Sequence, residues 1–105
     1  MRSVAVAGVQ SGVSPSFVGN QGFRGLTRAS AGVYRLELDN NYDNDELSVQ
    51  PSLTILDPGD VVTVPKGSIA SRVLGTGPTY IHIFINDVDG APADFDFYIT
   101  ATTQQ

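Results

Sequence analysis

A chain of 105 residues with six Lys and Arg against eleven Asp and Glu carries a formal charge of −5 and fits one domain. Six scattered cations make no phosphate-neutralising face, which sets aside nucleic acid and anionic membrane surfaces as partners. The absence of cysteine removes disulfides, thiolate metal sites and thiol nucleophiles, and a single histidine leaves a zinc site short of its usual ligands.

Eleven glycines and six prolines point to short strands joined by turns, and no long window keeps apolar residues at helical spacing. Met1 reads as the mature start, because the apolar stretch of "MRSVAVAGVQSG" is short and broken by Gly8 and Gln10. Val4, Val6 and Val9 mark an opening strand. "SGVSPSFVGNQGFRGL" reads as turns around short edge strands, so residues 1–31 form a Gly-rich border. Ser30, Ala31 and Gly32 turn the chain into "GVYRLELD", where Tyr34, Leu36 and Leu38 alternate with Arg35 and Glu37. That period of two marks a strand with one buried and one wet face.

"NNYDNDE" is a polar loop whose side chains cap their own backbone. "LSVQPSLTIL" sets Leu47, Val49, Leu53 and Ile55 on one face, and Pro51, lacking an N–H, assigns it to an edge or a bulge. Asp57, Pro58, Gly59 and Asp60 form a turn before a short strand at 61–64, and "SIASRVLG" is the next strand. In "TYIHIFIN", Ile81, Ile83 and Ile85 take one face while Tyr80, His82 and Phe84 take the other. Both faces are largely apolar, so this strand is central or covered by another subunit, and Tyr80, His82 and Phe84 are interface candidates.

"ADFDFYITAT" alternates Phe95, Phe97 and Ile99 against Asp94, Asp96 and Tyr98, which puts both aspartates on the wet face of a last strand. "ATTQQ" at 101–105 is a polar tail. Seven or eight short strands define an all-β single domain over 1–105, an antiparallel β-sandwich or jelly-roll-like barrel with core strands within 32–100.

Little of this carries chemistry. His82 stands mid-strand between isoleucines, a packing or interface position, and a catalytic histidine needs a nucleophile and an orienting acid. No Gly-x-Ser-x-Gly elbow, P-loop or Gly-x-Gly-x-x-Gly occurs. The reading is non-enzymatic, with no catalytic residue, cofactor or metal site assigned. "INDVDGAPADFDFYI" tests calcium most directly. With Gly90 at the sixth position of an EF-hand loop, Asp87, Asp89 and Asp96 fall at the third, fifth and twelfth, but the first is Ile85 and no helix flanks it. The simpler reading is a structural turn: Asp87 and Asp89 cap the backbone, Gly90 supplies positive φ and Pro92 fixes the exit. A calcium site of another kind stays open there and at Asp39, Asp43, Asp45 and Glu46. Tyr42 is the aromatic expected to be most exposed, and with Asp43 and Asp87 it forms a candidate ligand-binding set.

"AGVYRLELDNNYDNDELSVQPSL" followed by "VPKGSIASRVLGTGPTYIHIFINDVDGAPADFDFYIT" is similar to small β-domains of bacteriophage virions, notably from tail fibres and prophage structural genes. The likeness covers residues 32–100: a Gly-x-Tyr strand before a pairing strand, then a late segment at 83–97 with Gly90, Asp94 and Phe97 in the expected places. "FIND" departs from the Thr-Asn or Thr-Asp step common there. The resemblance implies a virion structural protein made in the host cytoplasm, a capsid decoration, head-fibre or tail-associated subunit. It implies assembly as a homo-oligomer, a trimer in the leading reading, alongside other virion proteins. One alternative is a tail-fibre tip that binds a host surface glycan through Tyr42, Asp43 and Asp87, and another is a calcium-stabilised adhesion module.

Overall fold

The computed structural model describes residues 2–43, 46–54, 67–75 and 77–103. Among them are eight strands: β1 (Arg2–Gln10), β2 (Ser16–Gln21), β3 (Phe23–Ser30), β4 (Val33–Leu38), β5 (Leu47–Leu53), β6 (Ser68–Leu74), β7 (Tyr80–Asn86) and β8 (Phe97–Thr103). They pair antiparallel in two four-stranded sheets, ordered β2-β1-β8-β5 and β3-β4-β7-β6. Among the described residues neither sheet closes on itself, so of the two expected architectures the chain takes the sandwich. The expected turn at 57–60 and strand at 61–64 lie outside the described residues, as does Asp45.

Alternation builds the layers. Tyr34, Leu36 and Leu38 from β4 and Ile81, Ile83 and Ile85 from β7 point inward and are buried. They meet Phe97, Ile99 and Ala101 of β8 and Ala5, Ala7 and Val9 of β1. The Tyr34 and Phe97 rings cross between sheets with centroids 5.5 Å apart at 58°, a tilted pairing that suits ring quadrupoles. Pro51 pairs with Ile99 from the edge strand β5, where its missing N–H leaves no ladder bond unmade within the sheet.

Three local expectations change. β1 is an interior strand, flanked by β2 and β8, so the 1–31 segment is a border only at β2 and β3. Its inward residues are Ala5, Ala7 and Val9, while Val6 faces out, because β1 bulges at Val4 against β8 and the alternation restarts at Ala5. The tail is not a tail throughout: Ala101 and Thr103 are buried in β8, held between β1 and β5. Finally, β8 begins at Phe97, so Asp94 and Asp96 precede it and lie on no strand face.

Candidate functional site

The two sheets present different outer surfaces. On β7 the outward residues are Tyr80, His82 and Phe84, as the alternation requires, and Phe84 is 39 % exposed. Registration across β4-β7-β6 sets Arg35 opposite His82 and His82 opposite Arg72, a cationic row through the middle of the sheet. On one side lies the row Val33–Phe84–Ala70 and on the other Glu37–Tyr80–Leu74. The Arg35 guanidinium sits 4.8 Å above the Tyr80 ring, and the His82 and Phe84 rings lie 6.4 Å apart. Glu37 is taken by Arg24 at 2.6 Å; among the described residues, no carboxylate pairs with Arg35 or Arg72. Partial burial, then Arg35 and Arg72, push the His82 pKa below its ordinary 6.5, so the imidazole is held neutral.

The outer face of β2-β1-β8-β5 carries no charge along its rows. Ser52, Tyr98, Gly8 and Val18 form one row, Gln50, Thr100, Val6 and Gln21 the next, then Ser48, Thr102 and Ser3. Tyr98 is 47 % exposed, and Val6 and Val18 are each 44 % exposed. Gly8 stands between Tyr98 and Val18, so the three apolar side chains surround a position with no side chain of its own. This is a contiguous exposed apolar patch on a sheet face whose rows carry no charge.

The aspartates that precede β8 tie down one end of the sandwich. Asp94 receives Arg28 Nη2 at 2.8 Å, the Gly32 N–H at 2.9 Å and the Tyr34 hydroxyl at 2.7 Å. The Gly12 N–H in turn donates to the Tyr34 oxygen, and Asp96 accepts from the Ser11 N–H and hydroxyl. Together they link the loop after β1, the β3–β4 turn and the approach to β8. Partial burial pushes the Asp94 pKa up, but the bonds from Arg28, Gly32 and Tyr34 outweigh it and hold it at about 2. Burial raises the Tyr34 hydroxyl, which stays protonated and able to donate. Gly32 fits here with φ of +72° because a Cβ would overlap the Ile85 carbonyl oxygen.

The Asp87 turn is as the sequence suggests, with the labour divided differently. Asp87 Oδ1 accepts from the N–H groups of Asp89 and Ala91, and Gly90 has φ of +85°. Asp89 enters through its N–H, and Pro92 pairs back to Asn86 as the chain leaves. Val88 at the tip is 70 % exposed. The EF-hand assignment does not assemble, since Asp96 is engaged with Ser11 and Asp87 with its own turn. Among the described residues no three His, Asp or Glu side chains converge on a cation position.

Tyr42, Asp43 and Asp87 do not form one site. Tyr42 bonds through its N–H and carbonyl to the buried Thr79 hydroxyl, just before β7, whereas Asp87 follows β7. Eight residues of extended chain, about 26 Å, separate those positions. Tyr42 is also half-buried against the core rather than open, and it lines a shallow depression of ≈ 210 Å³ with Arg2, Ser3, Val4 and Asn40. Sequence reasoning missed the Val6–Val18–Tyr98 patch, Arg72 and the Asp94 anchor. Alternation alone gives which face a residue takes; only strand registration says which neighbours share it.

No family model, curated protein or solved structure matches this chain.

Proposed function

We propose that this chain is a non-catalytic structural subunit of a bacteriophage virion, and that copies meet through the uncharged outer face of β2-β1-β8-β5. The virion setting rests on the resemblance of residues 32–100 to small virion β-domains, as a capsid decoration, head-fibre or tail-associated subunit. The assembly role rests on one observation, the contiguous exposure of Val6, Val18 and Tyr98 on a sheet face without charge. Depletion of charge around exposed aromatic and aliphatic groups is what distinguishes the middle of an interface from ordinary surface. The lone histidine supports the non-catalytic reading, because its cross-strand neighbours are Arg35 and Arg72 rather than a nucleophile and an acid. Tyr80, His82 and Phe84 become a second surface of different character.

Light scattering over a concentration series tests this. The wild type is expected to show a defined oligomer, and Tyr98→Lys is expected to run as a monomer with an unchanged melting temperature. A monomeric wild type at high concentration refutes the reading. A second reading is favoured by the depression beside Tyr42: a glycan-binding module that holds sugar against that ring. Binding on a sugar array that Tyr42→Ala abolishes would establish it.

A further inference from the structure

The outer face of β3-β4-β7-β6 cannot meet its own copy as the uncharged face can. Two copies related by a two-fold axis through the middle of the Arg35–His82–Arg72 row would set the Arg35 and Arg72 guanidiniums against the same pair. Like charges opposed across a desolvated contact repel. A neighbour on this face has to bring carboxylates, and the chain itself has them on an ordered projection. The turn after β7 carries Asp87 and Asp89 on either side of Val88, which is 70 % exposed. Its backbone is already fixed by the bonds to Asp87 Oδ1, so docking orders few torsions. The chemistries also match in layout: an apolar row at Val33, Phe84 and Ala70 lies beside the cationic row. At the opposite end Asp39 and Asp43 surround Asn40, Asn41 and half-buried Tyr42, with no such apolar tip among the described residues.

We infer that the β7–β8 turn of one copy docks on the outer face of β3-β4-β7-β6 of the next, with Val88 against Phe84 and the Asp89 carboxylate toward Arg35 and Arg72, while Asp87 holds the turn through Oδ1 and adds its negative charge. The inference rests on the reading above that the chain assembles with itself. The contact joins two unlike surfaces, so it either closes, as a reciprocal pair or a larger ring, or runs on head to tail as a filament. With the self-pairing uncharged face it gives each copy two distinct contacts, which is what an extended shell or fibre needs. Being charged and rim-accessible, it weakens with added salt, whereas the apolar contact does not.

The chain has no cysteine, so single introduced cysteines report this contact alone. Val88→Cys and Ala70→Cys chains, mixed and oxidised, are expected to give a mixed disulfide dimer, while Val88→Cys by itself gives none. In a charge exchange, Arg35→Glu/Arg72→Glu and Asp89→Arg are each expected to lose the species larger than the uncharged-face oligomer. Mixing the two variants is expected to restore it, because each then presents the charge the other's altered surface needs. Large species that persist in both charge variants, with no mixed disulfide between the two thiol-bearing chains, overturn this contact and leave the assembly reading standing. A wild type that is monomeric throughout overturns both. Retention of such a monomer on a sulfated polysaccharide resin, lost in Arg35→Glu/Arg72→Glu, would assign the row to an anionic glycan instead.

Discussion

The two outer faces of this sandwich are built on the same core by the same alternation, yet they differ in what they can meet. The β2-β1-β8-β5 face holds hydroxyls, amides and the Val6, Val18 and Tyr98 patch, so nothing in it repels its own copy. The β3-β4-β7-β6 face holds two arginines with no carboxylate partner among the described residues, in a chain whose formal charge is −5. Positive charge with no carboxylate partner among the described residues, set on one face of an acidic chain, suits that face to an unlike surface rather than to itself. The comparison teaches that charge alone can distinguish two faces of one sandwich: in the proposed assembly one contact is self-complementary and the other directional.

Both faces ride on one core, and the largest expected effect comes from loosening it. Asp94→Ala removes the acceptor shared by Arg28, Gly32 and Tyr34, leaving partly buried donors without a partner. A loss of about 2–3 kcal/mol is expected in urea unfolding, enough to disturb both faces together. If only one oligomeric contact weakened, the faces would not share a rigid frame.

Acid titration probes the same anchor. Asp94 has a folded pKa of about 2 against 3.8 for the free group, so the folded state holds its proton less tightly. Its contribution is therefore fully present above pH 4 and is lost as pH falls through 2. About 1–2 kcal/mol is expected to disappear in that window, allowing for partial exposure, and Asp94→Asn should flatten this part of the profile. Tyr34→Phe keeps the ring contact with Phe97 but removes the hydroxyl that donates to Asp94 and accepts from Gly12. It is expected to cost about 1 kcal/mol in the same unfolding assay.

The smallest effect on stability separates the faces most sharply. Arg72→Ser lies on an exposed edge-strand position with no carboxylate partner among the described residues. Its melting free energy is expected to change by less than about 0.5 kcal/mol. Sedimentation in low salt should nonetheless lose the directional contact while the uncharged-face oligomer survives. A large drop in stability would show that Arg72 serves the fold instead.

Much of this architecture is readable in the sequence because a period of two is a local signal. Tyr34, Leu36 and Leu38, and Ile81, Ile83 and Ile85, announce their strands and their inward faces without reference to any partner. What alternation cannot carry is contact across distance. Asp94 looks like a wet-face residue beside Phe95 and Phe97, and its true partners, Tyr34 and Arg28, lie 60 and 66 residues earlier. The Val6 patch is hidden by the bulge at Val4 in β1, after which the alanines point in and Val6 points out. Tyr42 reads as exposed because its loop is polar, while the Thr79 hydroxyl pulls its backbone in. The cationic row needs the registration of three strands, only one of which contains the histidine.

The claim that copies pair through the uncharged face and not through the cationic one can be read from one oxidation experiment. Thr100→Cys places a thiol beside Val6 on the first face, and Thr27→Cys places one beside Arg35 on the second. Each chain then has a single thiol, so any disulfide dimer joins equivalent positions of two copies. The expected result is a dimer for Thr100→Cys and none for Thr27→Cys. Dimers only from Thr27→Cys, or from neither variant, would contradict the account.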